Sequence, residues 1–175
     1  AMCWLIAIVV LCVLAFLVWA SADIGSGIYL KSYCHKPTSE KILALTFDDG
    51  PDEKMTPKVL AILKQYNIKA TFFMIGSKAA QLPHIVREIV AEGHNIGNHT
   101  YSHKGVFPIS GAKKVEIELC KCSSVIADIA GEQPKLFRPP FGVTNPIIGR
   151  VVRKLGLNSI GWSIRSLDTV SRRSR

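Results

Sequence analysis

Ile42-Leu43-Ala44-Leu45-Thr46-Phe47-Asp48-Asp49-Gly50-Pro51 is an apolar run of strand length that ends in two carboxylates and a turn. A short run that is apolar on both faces reads as a strand covered on both sides, the habit of parallel sheets. The same pattern recurs along the chain. Ala70-Thr71-Phe72-Phe73-Met74-Ile75 gives a second strand, His94 to Asn98 a third, Leu136-Phe137-Arg138 a fourth and Ser159 to Ile164 a fifth. Helical segments separate them. Thr56 as N-cap and Pro57 at the first helical position open an amphipathic stretch to Tyr66, and Gly76-Ser77 open another. Pro83 to Gly93 carries an apolar stripe of Ile85, Ile89 and Val90; Ser110 to Ala130 ends at Gly131; Asn145-Pro146 cap a helix to Leu155. Strands alternating with helices predict an α/β fold, either a parallel sheet covered on its faces or a barrel. Each polar cluster follows a strand, which is where such folds place chemistry.

Two adjacent aspartates repel each other and are costly at the end of a strand unless a cation neutralises them. His99-Thr100-Tyr101-Ser102-His103 supplies two imidazoles four residues apart, a spacing that lies on one face of a helical turn and can chelate one ion. One Asp and two His leave coordination positions open, as catalytic zinc requires. The same set suits a non-haem iron oxygenase. The spare aspartate favours hydrolysis, where attack by water wants a general base beside the metal.

With 175 residues the chain holds one domain and an appendage. Hydrophobic residues make up 48% and the mean hydropathy is +0.23, an excess concentrated before Asp23, the first charge. Met2 to Ala20 is long enough to span the roughly 30 Å hydrocarbon core, with Trp4 and Trp19 near its two interfaces. Ala20-Ser21-Ala22 matches a signal-peptide cleavage site, but the apolar run exceeds the roughly 7–15 residues of a signal core. Residues 1–22 are thus a transmembrane anchor or signal segment, residues 23–40 a connector with Gly25, Gly27 and Pro37, and residues 41–175 the functional domain. An anchor leaves that domain membrane-bound and extracytoplasmic; a cleaved signal leaves it secreted. Lys31 and Lys36, after the span, lean against the positive-inside rule.

The net charge of +9 is scattered, with one dense cluster at Arg172-Arg173-Ser174-Arg175 and no aromatic interleaving. That distribution argues against a nucleic-acid partner and for a surface facing an acidic envelope polymer. The five cysteines form no framework: Cys3 and Cys12 lie in the apolar span, Cys34 stands alone, and Cys120 and Cys122 point to different helix faces.

Thr46-Phe47-Asp48-Asp49-Gly50-Pro51, His99-Thr100-Tyr101-Ser102-His103 and Arg138-Pro139-Pro140-Phe141-Gly142 together resemble the first three motifs of the polysaccharide deacetylases, the NodB-homology group or carbohydrate esterase family 4. Their order and intervals agree from about Lys41 to Asp168. The resemblance implies a distorted (β/α) barrel, preceded here by the N-terminal transmembrane or signal helix. It makes Asp48 the general base and makes Asp49, His99 and His103 the ligands of a divalent metal, zinc first, with cobalt or nickel as alternatives. It pairs Arg138 with the base, lines the substrate groove with Pro139 and Phe141, and places a backbone N–H near Phe141 at the oxyanion. Trp162 to Thr169 is similar to part of a fourth motif, which assigns Trp162 to the groove wall or the core and Asp168 to orienting a catalytic acid. Arg165 and Thr169 depart from that motif. The family's fifth motif, a Leu-x-His that supplies the acid, has no counterpart, and His35, His84 and His94 do not match it. The barrel is therefore expected to be incomplete and the fragment to lack that acid. The implied activity is metal-dependent removal of N-acetyl groups from an amino-sugar polysaccharide, peptidoglycan or chitin-like. The alternatives are an anchored glycan-binding module without catalysis and an O-acetyl polysaccharide esterase. The oligomeric state is left open.

Overall fold

The computed structural model describes residues 2–166. In chain order these form helix α1 (Met2–Ala22), strands β1 (Ser32–Tyr33) and β2 (Leu45–Gly50), helix α2 (Met55–Gln65), strand β3 (Ala70–Met74), helices α3 (Gly76–Gln81) and α4 (Pro83–Ala91), strand β4 (Asn95–Asn98), helix α5 (Ala112–Ala130), strand β5 (Leu136–Phe137), helix α6 (Pro146–Lys154) and strand β6 (Asn158–Ile160). All strand pairs are parallel, in the order β1-β6-β5-β4-β3-β2. The sheet is curled as a half-barrel with helices packed on it, open between β1 and β2, so the expected (β/α) architecture is present in incomplete form.

The register brings the carboxyl ends of the strands level. Gly50, Met74, Asn98, Phe137, Ser159 and Ser32 form one row across the sheet. His99 and Arg138 are each the next residue beyond that row. Helix α5 divides the core, with Phe72, Met74, Ile85, Ile89 and Ile126 on one side and Leu119, Phe137, Ile148 and Val152 on the other. These buried side chains fix the strand ends on which the polar residues ride.

Four local expectations change. Strand β2 begins at Leu45 and runs on through both aspartates, while Ile42 and Leu43 are exposed. Among the described residues it is an edge strand whose one neighbour, β3, starts at Ala70, opposite Leu45, so β3 offers earlier residues no partner. Strand β6 stops at Ile160 because its partners stop at Phe137 and Tyr33. Helix α2 starts at Met55, and Asp52 holds the turn that leads into it. The Asp52 Oδ1 accepts from the Lys54 and Met55 N–H groups, and Thr56 Oγ1 accepts from the Asp52 N–H. Helix α4 buries Val86 with Ile85 and Ile89, leaving Val90 half-buried.

The residues read as a connector carry a strand, β1, with Ser32 Oγ 2.7 Å from Ser159 Oγ. Two residues with no apolar alternation give no strand signal in sequence. Other expectations hold. Asn145 Oδ1 caps α6 by accepting from the Ile148 N–H, and Gly131 ends α5 at φ +83°. Cys120 is exposed and Cys122 buried, where desolvation pushes its thiol up to about 12.

Candidate metal centre and active site

The two aspartates sit in a bulge. Phe47 pairs with Phe72 and Gly50 with Met74, so three steps on β2 match two on β3. The extra residue bends the strand, and Asp49 takes φ +65°. Its carboxylate then reaches over the strand ends. Asp49 Oδ1 lies 3.5 Å from His99 Nε2 and 3.3 Å from His103 Nε2. All three ligand atoms fall within 4.8 Å of one another.

Asp49, His99 and His103 form a group that could hold a metal ion. His99 Nδ1 is 2.7 Å from the Arg138 carbonyl, which can only accept, so the ring donates there and turns its Nε2 toward Asp49. A lone pair and a carboxylate at that distance need a proton or a metal between them. Tetrahedral zinc with ligands at about 2.0–2.1 Å separates ligand atoms by about 3.4 Å, close to both measured separations. The residues present therefore fit a divalent ion. Asp49 is held below its ordinary 3.8, first by the His99 hydrogen bond and then, against desolvation, by the charges of His99, His103 and Lys78. His103 is held below its ordinary 6.5, first by burial and then by the His99 charge.

The histidines do not share a helical turn. Residues 99–103 form a loop in which Thr100 and His103 have positive φ, +66° and +47°. Non-glycine residues in that region cost about 1–3 kcal/mol each and persist where neighbours over-determine them. The neighbours here are identifiable. Asn98 Oδ1 accepts from the Thr100 N–H, and Asn98 Nδ2 donates to Leu119 O and Ser123 Oγ on α5. Thr100 Oγ1 accepts from the His103 N–H. Glu118, also on α5, accepts from both the N–H and the hydroxyl of Ser102. On the other side, Lys78 Nζ donates to the Asp49 carbonyl at 2.8 Å.

Asp48 faces the opposite partner. Arg138 Nη1 donates to Asp48 Oδ1 at 2.7 Å and to Thr46 Oγ1 at 2.8 Å. Its Nε and Nη2 donate to the Ile160 and Gly161 carbonyls at 3.1 and 2.8 Å. The guanidinium carbon lies 4.1 Å from the centre of the Phe73 ring and 5.6 Å from that of the Trp162 ring. Phe73 has room because residue 97 is glycine: a Cβ there would come within 2.4 Å of the ring.

Pro139 is buried, whereas Phe141 is 55% exposed, with φ +60° and its ring 5.0 Å from that of His103. The 3-10 turn Pro140–Gly142 is closed by the Gly142 and Val143 N–H groups, and neither bond uses the Phe141 N–H. Trp162 is half-buried beneath Gly142. Asp168 lies outside the described residues. The sequence motifs thus converge on one face. Lys78, Asn98 and Glu118, which hold those motif residues in place, carry no motif signal, and only Asn98 adjoins a motif; Thr46 lies inside the first motif, and its bond to Arg138 is visible only in the structure.

The profile of the polysaccharide deacetylase family matches residues 35–160. The chain belongs to that family. It is 39% identical over 132 residues to a peptidoglycan-N-acetylglucosamine deacetylase of Bacillus cereus, covering 75% of this chain and 48% of that protein. A crystal structure of a peptidoglycan N-acetylglucosamine deacetylase superposes with TM-score 0.72 at 39% identity, covering 75% of this chain and 61% of the other. A family 4 acetyl xylan esterase from Clostridium thermocellum, solved with a cobalt ion, superposes with TM-score 0.62 at 39% identity over 67% of this chain and 56% of its own. The chain spans about half the length of the curated relatives it matches.

Proposed function

We propose that this polysaccharide deacetylase domain hydrolyses N-acetyl groups on an amino-sugar polymer of the cell envelope, peptidoglycan first. The observation that carries the proposal is the division of labour between adjacent carboxylates. Asp49 joins His99 and His103, while Asp48 is turned to Arg138 at 2.7 Å and kept out of the ligand set. Asp49, His99 and His103 would hold a divalent ion, zinc by the donor set. When bound, such an ion would supply Lewis-acid chemistry, lowering the pKa of a water and polarising a carbonyl oxygen.

This chain's own residues do the rest. Asp48 accepts a proton from water as that water's oxygen adds to the carbonyl carbon. Arg138 holds the base in one orientation through its planar fork. The Phe141 N–H helps hold the negative oxygen, and the exposed Phe141 ring with Trp162 forms an apolar wall against which a sugar face packs. The carbon–nitrogen bond then breaks, giving acetate and an amine, with the nitrogen protonated by a group outside these motif residues. Residues 1–22 anchor the domain in the membrane, residues 23–40 join the two and add β1 to the sheet, and the domain lies outside the cytoplasm.

Acetate release from an N-acetylglucosamine oligomer tests the proposal. Metal-loaded protein is expected to release acetate, and Asp48→Asn to slow release about 10²–10⁴-fold while still binding metal. Hydrolysis at the parental rate in Asp48→Asn overturns the base assignment. Likeness to the acetyl xylan esterase favours a second reading, hydrolysis of O-acetyl esters. Acetate from an O-acetylated xylan with none from the amide oligomer would select it.

A further inference from the structure

Helix α1 is apolar over 21 residues, the length of a bilayer span, and its membrane-length window is 0% buried. Among the described residues, its last turn and those just after it meet the domain, and they meet the catalytic face. The Thr144 N–H, two residues beyond Gly142, donates to the Ser21 carbonyl at 2.9 Å. Ser26 Oγ donates to the Ala20 carbonyl at 3.0 Å, and Ala20 and Ile24 are buried. Ile24 lies against Gly161, where an added Cβ would come within 3.3 Å of Ile24 Cγ2. The Gly161 carbonyl is the one that accepts from Arg138 Nη2, and Arg138 in turn holds Asp48. The root of the span therefore packs directly behind the residues that hold the base.

Distance sets the consequence. Phe141 and Thr144 are three residues apart, at most about 11 Å of extended chain. The headgroup layer beyond the hydrocarbon is about 5–8 Å thick on each side. After the span the chain does not trail away as a tether. Leu30 is buried, and Arg153 Nη1 donates to the Tyr29 carbonyl at 2.8 Å. Trp19 near the end of the span, and Trp162 with Arg165 4.9 Å over its ring, supply the aromatic and cationic groups found at membrane interfaces.

We infer that the catalytic face works at the headgroup level of the membrane that holds α1, on amino-sugar glycan attached to lipid in that same membrane. The inference rests on the deacetylase proposal for its chemistry and on the α1 contacts for its placement. Two readouts separate them. The chain has three tryptophans, so Trp4→Phe with Trp19→Phe leaves Trp162 as the sole reporter. The full chain carrying both changes is placed in phosphatidylcholine vesicles with and without a lipid bearing a nitroxide on its headgroup. Trp162 emission is expected to lose about half its intensity with the quencher, as a ring at interfacial depth does. Unchanged emission, or release of the protein by alkaline carbonate, overturns the placement.

In the same vesicles, kcat/KM for an N-acetylglucosamine oligomer coupled to lipid is expected to exceed that for the free oligomer by about ten-fold or more, through effective concentration. Equal values overturn the choice of substrate. No acetate from either oligomer, with Trp162 quenched, overturns the deacetylase proposal and leaves the placement standing.

Discussion

Replacing Arg138 with methionine keeps most of the side-chain volume and removes the guanidinium. Four acceptors lose their donor: Thr46 Oγ1, Asp48 Oδ1 and the carbonyls of Ile160 and Gly161. A buried acceptor left unpaired costs about 1–3 kcal/mol. The two carbonyls carry that cost most fully. The Asp48 side chain is 31% exposed, so water recovers part of its share. The expected loss is about 3–5 kcal/mol, a large part of the 5–15 kcal/mol that holds an ordinary domain together. Urea unfolding in detergent micelles, followed by far-UV circular dichroism, measures it. Arg138→Lys keeps the charge but not the planar fork, and is expected to lose about half as much stability while still impairing turnover. Arg138→Met within about 1 kcal/mol of the parent, or Arg138→Lys with parental turnover, would refute the role given to the fork.

Asp48→Asn is expected to lower turnover about 10²–10⁴-fold with little change in zinc affinity, whereas Asp49→Ala removes zinc binding measured by calorimetry. Comparable affinity losses in both variants would erase the division between the carboxylates. His94 Nδ1 accepts from the Ala70 N–H, and burial holds its pKa below the ordinary 6.5. The unfolded chain therefore binds more protons below pH 6.5; the stability is present above that value and is lost as the pH falls through the folded pKa. His94→Leu should flatten that decline in unfolding free energy, and an unchanged slope counts against the buried neutral imidazole. Gly97→Ala sets a Cβ 2.4 Å from the Phe73 ring beneath Arg138 and should cost about 1–3 kcal/mol, read as a lower Tm.

The candidate ligands were legible in sequence because Asp49, His99 and His103 each lie within a short motif at the carboxyl end of a strand. The way those residues converge was not. The bulge that turns Asp49 over the strand ends depends on pairing with β3, which no local pattern in β2 encodes. The histidine spacing read as a helical turn, and the backbone instead uses left-handed residues stabilised from a distance. Glu118 and Lys78 stabilise those bends from α5 and α3, and on a helix each looks like an ordinary surface charge. Strand β1 was invisible for a related reason. Its two residues are specified by β6 and not by their own composition. The same limit hid the root of α1, where a span-and-connector reading gave no sign that Ser21 and Ile24 touch the catalytic face.

The most direct test of the account is acetate release from an N-acetylglucosamine oligomer by the protein in three states: as isolated, after thorough chelation, and after chelation followed by zinc. Release that disappears on chelation and returns with zinc in the parent protein, but not in Asp49→Ala, is the predicted result. Acetate released at an undiminished rate by the chelated protein would contradict the account at its centre.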